Sequence, residues 1–530
     1  MRDFLTSIHY NSWVLSALLI IPMIGTGAIY VFCPSAHADE REYGEGTPPR
    51  LIAFWTLIIE FVVSAGLWWS FEPEKPGWQA VADFPWLPDW GARYTVGIDG
   101  ISLFMVLLTT FIMPLAIMGD WTSVRKKLRT HYALFLLLTT GMVGVFVSLD
   151  MLFFYVMWEL MLVPMYFIIG MWGGERRIYA SIKFFLYTTL GSLLMLVALI
   201  ALWRNTGATS FNYDVMLANA SGSEVEAFWM FGAFFLAFAI KVPLFPFHTW
   251  LPDAHVEAPT GGSVVLASVM LKMGTYGFLR FALPFFPEAA MHPTVRGIIL
   301  GLAIVGIVYG ALVALVQPDL KKLVAYSSVS HMGFVLLGIF ALTVQSVQGA
   351  LMIMISHGIS TGALFLLIGM LYERTHTRQI AAYGGLARSV PMFAAVLTLV
   401  SLSSIGLPGT NGFVGEFLVL IGSYEAAPVA TAIAATGVVF AAAYLLWALQ
   451  RIIFNPMTHP ENADLADLNR RELGVMAVLS VVIIVMGIAP GPILRRMEPA
   501  STRFVQYMQQ GAALQLKPPG AVPVAAPGGR

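Results

Sequence analysis

Three lysines stand inside long apolar stretches of this sequence: Lys183, Lys241 and Lys272. Three glutamates, Glu60, Glu159 and Glu416, and three histidines, His248, His331 and His357, do the same. A charge at bilayer depth costs at least ~2.5–3.5 kcal/mol on insertion scales. Several such residues on different segments therefore call for a chemical reason. Amines, carboxylates and imidazoles in an apolar interior can hand on a proton. Burial and a nearby opposite charge shift an ionisation equilibrium in opposing senses, and imidazole titrates close to neutrality. Lys241 lies in FAI-Lys241-VPLFPFHTWLPDAHVEAPT, with Pro243 and Pro246 directly after it. Proline removes amide donors and breaks the helical ladder, which is tolerated where backbone lines a watery cavity. Glu159 is central in MLFFYVMW-Glu159-LMLVPMYF, Lys272 in SVVLASVML-Lys272-MGTYGF, and Glu416 follows the LPGTNGFVG break.

Each residue also admits a structural role. Glu159 could be a protonated, hydrogen-bonded carboxyl between helices, and Lys241 one half of a fixed ion pair. Lys272 and Glu416 admit the same alternatives. His331 and His357 could be satisfied polar groups in helix interfaces. Lys183, near the start of its segment, can snorkel to the surface. Glu60 stands apart from the others and is expected to be protonated, or to face a neighbouring subunit. Metal chemistry finds no support: there is no HExxH, no cysteine partner and no carboxylate at ligand spacing. A bis-histidine haem would need histidine pairs at matched depth and small residues for the ring. The single cysteine, Cys33, excludes a disulfide framework, a thiolate zinc site and a cysteine-held iron–sulfur cluster.

The elements that must position these groups are membrane helices. Of 530 residues, 58% are hydrophobic and 11% charged, with a mean hydropathy of +0.76; ordinary soluble domains have roughly 45–50% and about 25%. A soluble enzyme, a disordered chain and collagen are all excluded. Thirty Lys+Arg balance thirty Asp+Glu, so no basic footprint for nucleic acid exists. A span needs about 20 apolar residues. The sequence offers fourteen, at 12–33, 50–71, 98–119, 131–149, 151–171, 178–203, 228–256, 262–283, 295–316, 322–342, 347–372, 389–425, 427–450 and 472–494. The runs 228–256 and 389–425 are too long and too rich in Pro and Gly to be straight helices. The first run, Val14–Phe32, exceeds a signal-peptide core of roughly 7–15 residues. It is expected to be retained as a span despite the cleavage-like Ser35-Ala36-His37-Ala38 that follows.

With the N-terminus outside, the odd-numbered loops hold sixteen Lys and Arg and the even-numbered loops five. The positive-inside rule then places both termini on the outer face, although Arg495, Arg496, Arg503, Lys517 and Arg530 fall on the wrong side. Spans 4–8 and 9–13 make two five-helix units, each with one broken span. An odd number of helices inverts the second unit, as in secondary transporters. The expected organisation is 1–130 for three helices and loops, 131–283 for the first unit, and 295–455 for the second, inverted unit. A last helix follows within 456–496, then a flexible tail over 497–530.

Five segments carry a specific resemblance: Trp158-Glu159-LMLVPMYFIIG, GGERRIYASIKFFLYT, the long KVPLFPFHTWLPDAHVEAPTGGSVVLASVMLKMGTYG, PDLKKLVAYSSVSHMGFV and LYERTHTRQI. They resemble the antiporter-like M subunits of bacterial respiratory complex I, the proton-translocating NADH:quinone oxidoreductase. The likeness runs from span three to span fourteen. The motif around Lys241 and Lys272 is shared with multisubunit sodium/proton antiporters, which are the alternative function. The resemblance implies an all-α polytopic fold of fourteen helices with two inverted five-helix repeats, each containing a broken helix. It implies a translocase subunit with no redox centre of its own; NADH, FMN, iron–sulfur clusters and quinone would belong to other subunits. It implies partners among the adjacent antiporter-like subunits and residence in the bacterial inner membrane. By the same resemblance Glu159 is the ion-pair acid and Lys241 its broken-helix partner. Lys272 and His331 form a central relay, Glu416 is the terminal acid on the periplasmic exit side, and His248 and His357 are supporting positions. The departures are the insert Ser35–Arg50, the extra Glu60 and the Pro-rich tail.

Overall fold

The computed structural model describes residues 1–33, 47–220 and 223–515. Among these, twelve helices are long and apolar enough to cross a membrane, and they coincide with twelve of the fourteen predicted spans. The two remaining spans are the two expected to be broken. The seventh starts at a capping box, in which Ser223 and Glu226 satisfy each other's backbone amides. It runs as Glu224–Lys241, stops at the prolines, and resumes as Trp250–Glu257. The twelfth runs as Pro391–Ile405, breaks, and resumes as Asn411–Ala426. Gly406 and Gly409 adopt φ of +83° and +91° at that break, a region open to glycine because it has no Cβ.

Two further irregularities fall beside candidate residues. The fifth span divides into Met151–Leu160 and Leu162–Trp172, directly after Glu159. Pro164 causes this, since it has no amide to bond to the Leu160 carbonyl. The eighth span, Thr260–Phe285, contains π-helical turns at Leu266–Met270 and Phe278–Ala282 that flank Lys272. Such bulges free carbonyls from the regular ladder.

The helices are not equivalent in environment. Thr260–Phe285 and Val344–Thr375 are wholly buried and Leu320–Ala341 nearly so, whereas Pro48–Ser70 and Arg470–Ile488 turn most of their surface outward. Three central helices therefore carry Lys272, His331 and His357 inside a ring of more exposed ones.

Hydropathy gives no sign of two elements. Between the second and third spans, β1 (Gln79–Leu87) and β2 (Ala92–Ile98) pair antiparallel. Arg93 bonds Asp83 at 2.8 Å across the hairpin, and Arg280 pairs with Asp99 at 2.6 Å, tying the end of the eighth span to the start of the third. The second element corrects the expected flexible tail: residues 497–515 continue a helix, Gly491–Gln515. Met497, Ala500, Phe504, Val505 and Met508 are buried at helical spacing. Tyr507 donates to the Pro284 carbonyl at 3.1 Å and Arg496 stacks on Trp68 at 3.9 Å. The helix thus lies across the ends of the second and eighth spans. Residues 516–530, the cleavage-like Ser35–Ala38 and the insert up to residue 46 lie outside the described residues.

Candidate functional site

Four of the seven candidate residues form one buried line. The Lys272 ammonium donates to the Ala267 carbonyl, a group made available by the π turn, and meets His357 Nδ1 at 2.7 Å. The His357 ring stands 5.5 Å, centroid to centroid, from that of His331. His331 Nδ1 in turn lies 3.1 Å from a Glu416 oxygen. The sequence of contacts is therefore Lys272, His357, His331, Glu416, drawn from the eighth, eleventh, tenth and twelfth spans. His357 stands between Lys272 and His331; the geometry gives it a linking position where a supporting one was expected. Its Nε2 has no partner among the described residues, which leaves it open to donate or accept.

The Glu416 end of the line widens into a small polar chamber. It is lined by His331, His357, Ser360, Ser403 and Glu416 among others. Its 20 Å³ for a water-sized sphere exceeds the roughly 10–15 Å³ that one water requires. Asn411, the first residue after the break, accepts from Ser403 at 2.5 Å and from Ser360 at 3.1 Å, and donates to the Ser356 carbonyl at 3.4 Å. The broken helix thus presents a row of hydroxyls and an amide beside Glu416. Gly406 closes the other side: a Cβ there would approach the second Glu416 oxygen to 2.6 Å.

Glu159 and Lys241 form a second cluster. Lys241 is 1% exposed, at the last turn before the seventh-span break. Its ammonium is 3.6 Å from the Met161 sulfur and lies over Trp158 and Phe184 at 5.4 and 5.6 Å. Sulfur is a weak acceptor, and the ring faces add a cation–π attraction. Glu159 and Lys241 interact electrostatically but are not within the 4.0 Å of an ion pair. One Glu159 oxygen is buried without a partner, and Tyr155 and Ser192 stand beside the carboxyl. The helices bearing Lys241 and Lys272 touch closely, since a Cβ at Gly274 would meet the Phe238 carbonyl at 2.9 Å.

His248 joins neither cluster by a hydrogen bond. It sits at the seventh-span bend, 5.2 Å from the Tyr309 ring and 5.7 Å from that of Phe245. Glu60 is fully buried, and neither of its oxygens has a hydrogen-bond partner among the described residues. Lys183 does not reach open water alone; it pairs with Asp253 at 2.7 Å.

Sequence reasoning missed several buried groups. His255, eight residues after Phe247 in the same motif, is fully buried and stacked on Phe365 at 4.6 Å. It interacts electrostatically with both Lys321 and Lys272. Asp120 bonds His131 at 3.2 Å and caps Gly261 at 2.7 Å. Asn411, Ser360 and Ser403 carry no pattern at all, since hydroxyls and amides are common in membrane helices. Among the described residues no group of three His, Cys, Asp or Glu could hold a metal ion.

Residues 148–441 match the family described as NADH:quinone oxidoreductase/Mrp antiporter, transmembrane. NADH-quinone oxidoreductase subunit M of Rhodobacter capsulatus is 45% identical over 96% of this chain and 97% of its own length. NADH-ubiquinone oxidoreductase chain 4 of Marchantia polymorpha is 40% identical over 93% and 97%. Among solved structures, respiratory complex I from Thermus thermophilus with bound NADH contains a chain that is 33% identical. It superimposes with a TM-score of 0.84, over 93% of this chain and 99% of the other.

Proposed function

Because this chain belongs to the NADH:quinone oxidoreductase/Mrp antiporter membrane family, we propose that it is a proton-translocating membrane subunit of NADH:quinone oxidoreductase. The antiporter alternative is less favoured, because the whole-length likeness is to subunit M and chain 4 sequences. The chain does no redox chemistry; NADH, FMN, iron–sulfur clusters and quinone are held by other subunits, with adjacent antiporter-like chains as neighbours. It resides in a bacterial inner membrane with both termini on the periplasmic side. Its two five-helix units are related by inversion.

The observation that carries the reading is the unbroken line Lys272–His357–His331–Glu416. Two of its three steps are at or near hydrogen-bond distance, and the ring-to-ring step is short enough for one water to bridge. Glu159 and Lys241 act as the switch at its head. A carboxylate that moves from about 8 Å to about 4 Å from an ammonium gains roughly 2 kcal/mol at an effective dielectric near 20. That is comparable with the ~2.3 kcal/mol needed to move one charge against 100 mV. In the separated arrangement, Lys241 has only sulfur and ring faces around its charge. Its proton then passes toward Lys272, and onward through His357 and His331 to Glu416, which releases it through the polar chamber. Approach of Glu159 restores the charged form of Lys241, and reprotonation from the cytoplasm resets the head of the line. His255, between Lys321 and Lys272, offers an uptake side for the central lysine.

The test is the reconstituted complex. The polypeptide should copurify with NADH-oxidising activity and two further antiporter-like chains. Glu159→Gln and Lys241→Ala should each lower the proton-to-electron ratio. Lys241→Arg should fail as well, because guanidinium cannot give up its proton in this range. An unchanged ratio in all three variants would mean that protons take another route.

A further inference from the structure

One large cavity lies outside the proton line. It is an open groove between the sixth span, Arg177–Asn205, and the first half of the seventh, Glu224–Lys241. Its volume is 920 Å³, at the upper end of the roughly 300–1,000 Å³ of sites for small ligands. Small residues make the room: Ala198 and Ala201 on one helix face Gly232 and Ala233 on the other, and a Cβ at Gly232 would meet nothing within 4 Å. Leu194, Val197 and Leu236 supply apolar walls.

The dimensions and the polar end point to one kind of occupant. From Leu194 to Arg204, and from Glu226 to Leu236, each wall runs eleven residues, or about 15 Å of helix. That is half of a hydrocarbon core about 30 Å thick, the depth of one leaflet. At the shallow end stand one cation and one anion. Arg204 is exposed and has no ion pair or side-chain hydrogen bond among the described residues. Glu226 uses one oxygen to accept the Ser223 amide at 3.1 Å, which leaves the other free. Trp229, 78% exposed at the same end, is an aromatic of the type that marks the headgroup level. The cleft is therefore apolar through one leaflet and carries a balanced charge pair at its mouth. An anionic lipid would pair with Arg204 and leave Glu226 without a partner; a headgroup carrying both charges would pair with both.

We propose that this cleft binds one phosphoethanolamine lipid, with its phosphate on Arg204, its ammonium on Glu226 and an acyl chain between the two helices. The ammonium matters because it brings N–H donors to a carboxylate.

The test uses the intact complex, delipidated in detergent and returned to nanodiscs of dioleoyl phosphatidylethanolamine or dioleoyl phosphatidylglycerol. Lipid retained per complex is then counted by native mass spectrometry. The wild type should retain one phosphatidylethanolamine more than an Arg204→Gln/Glu226→Gln double variant, which keeps an acceptor for the Ser223 amide. Affinity in the double variant should be roughly ten- to a hundred-fold weaker, and Gly232→Leu, which fills the cleft, should lose the site. Should the double variant fail to assemble, the wild type and a Trp229→Phe complex decide: a trace of dibrominated phosphatidylethanolamine should quench the emission component that the Trp229→Phe complex lacks more strongly than the same trace of dibrominated phosphatidylglycerol does. Equal retention in all complexes, equal binding of the two lipids, or near-complete cross-linking of Val197→Cys to another subunit would each overturn the proposal.

Discussion

Glu416 offers the sharpest trial of the proton line, through Glu416→Gln. The substitution keeps shape and an acceptor oxygen and removes one charge. With 3.1 Å between the Glu416 oxygen and His331 Nδ1, a negative charge on that oxygen attracts a positive charge in transit at the nitrogen by about 5 kcal/mol at an effective dielectric near 20. The glutamine carbonyl can still accept a hydrogen bond, which recovers roughly 1–2 kcal/mol. A net loss of about 3–4 kcal/mol in the attraction felt by a proton crossing this gap, at 1.36 kcal/mol per decade, slows the step by roughly 10²- to 10³-fold. A proton that must pause on His331 would then cross this point too slowly to keep pace with turnover. The assay is proton uptake by proteoliposomes against NADH-driven quinone reduction, with assembly checked by native gel. The proton-to-electron ratio should fall, or, where coupling is tight, turnover should fall with it. An assembled variant that holds both quantities within twofold of the wild type would refute the line through Glu416.

Three further outcomes follow from the same geometry. His357→Phe removes the 2.7 Å partner of Lys272 and should impair pumping as severely as Lys272→Ala. The double variant should be no worse than either alone, whereas additive losses would show two independent routes. Gly406→Ala places a Cβ at φ +83° and within 2.6 Å of a Glu416 oxygen; it should cost on the order of 1–2 kcal/mol of stability and reduce pumping, and a fully active, equally heat-stable variant would contradict the packing around Glu416. Asp150 caps the fifth span from outside it, and burial pushes its carboxyl up to about 6 despite bonds from Arg93, Phe153 and Leu152 amides. A carboxyl raised on folding binds its proton more tightly in the folded state, so its contribution is fullest below the unfolded value near 4 and declines as pH rises toward 6. Asp150→Asn should flatten that part of the stability–pH curve in thermal unfolding; an unchanged slope would contradict the assignment.

The linear sequence was sufficient for whatever depends on apolar length and on proline. Twelve spans, and the two interruptions, are legible because about 20 apolar residues cross a membrane regardless of their neighbours, and because Pro243, Pro246 and Gly406 act on the backbone locally. The same local reasoning singled out Lys241 and Glu416, each beside a break. It could not reveal the order of the relay. Lys272 and His357 are 85 positions apart and meet only when two central helices pack, so no spacing along one helix could show that His357 stands between Lys272 and His331. The distance between Glu159 and Lys241 is likewise a property of packing, set by where Pro164 divides the fifth span and where Met161 and Trp158 then point. The hairpin and the helix Gly491–Gln515 escaped notice because hydropathy weighs only the mean apolar character of a window. Their stability comes from one face laid against the ends of the bundle, and that surface exists only once the bundle has formed.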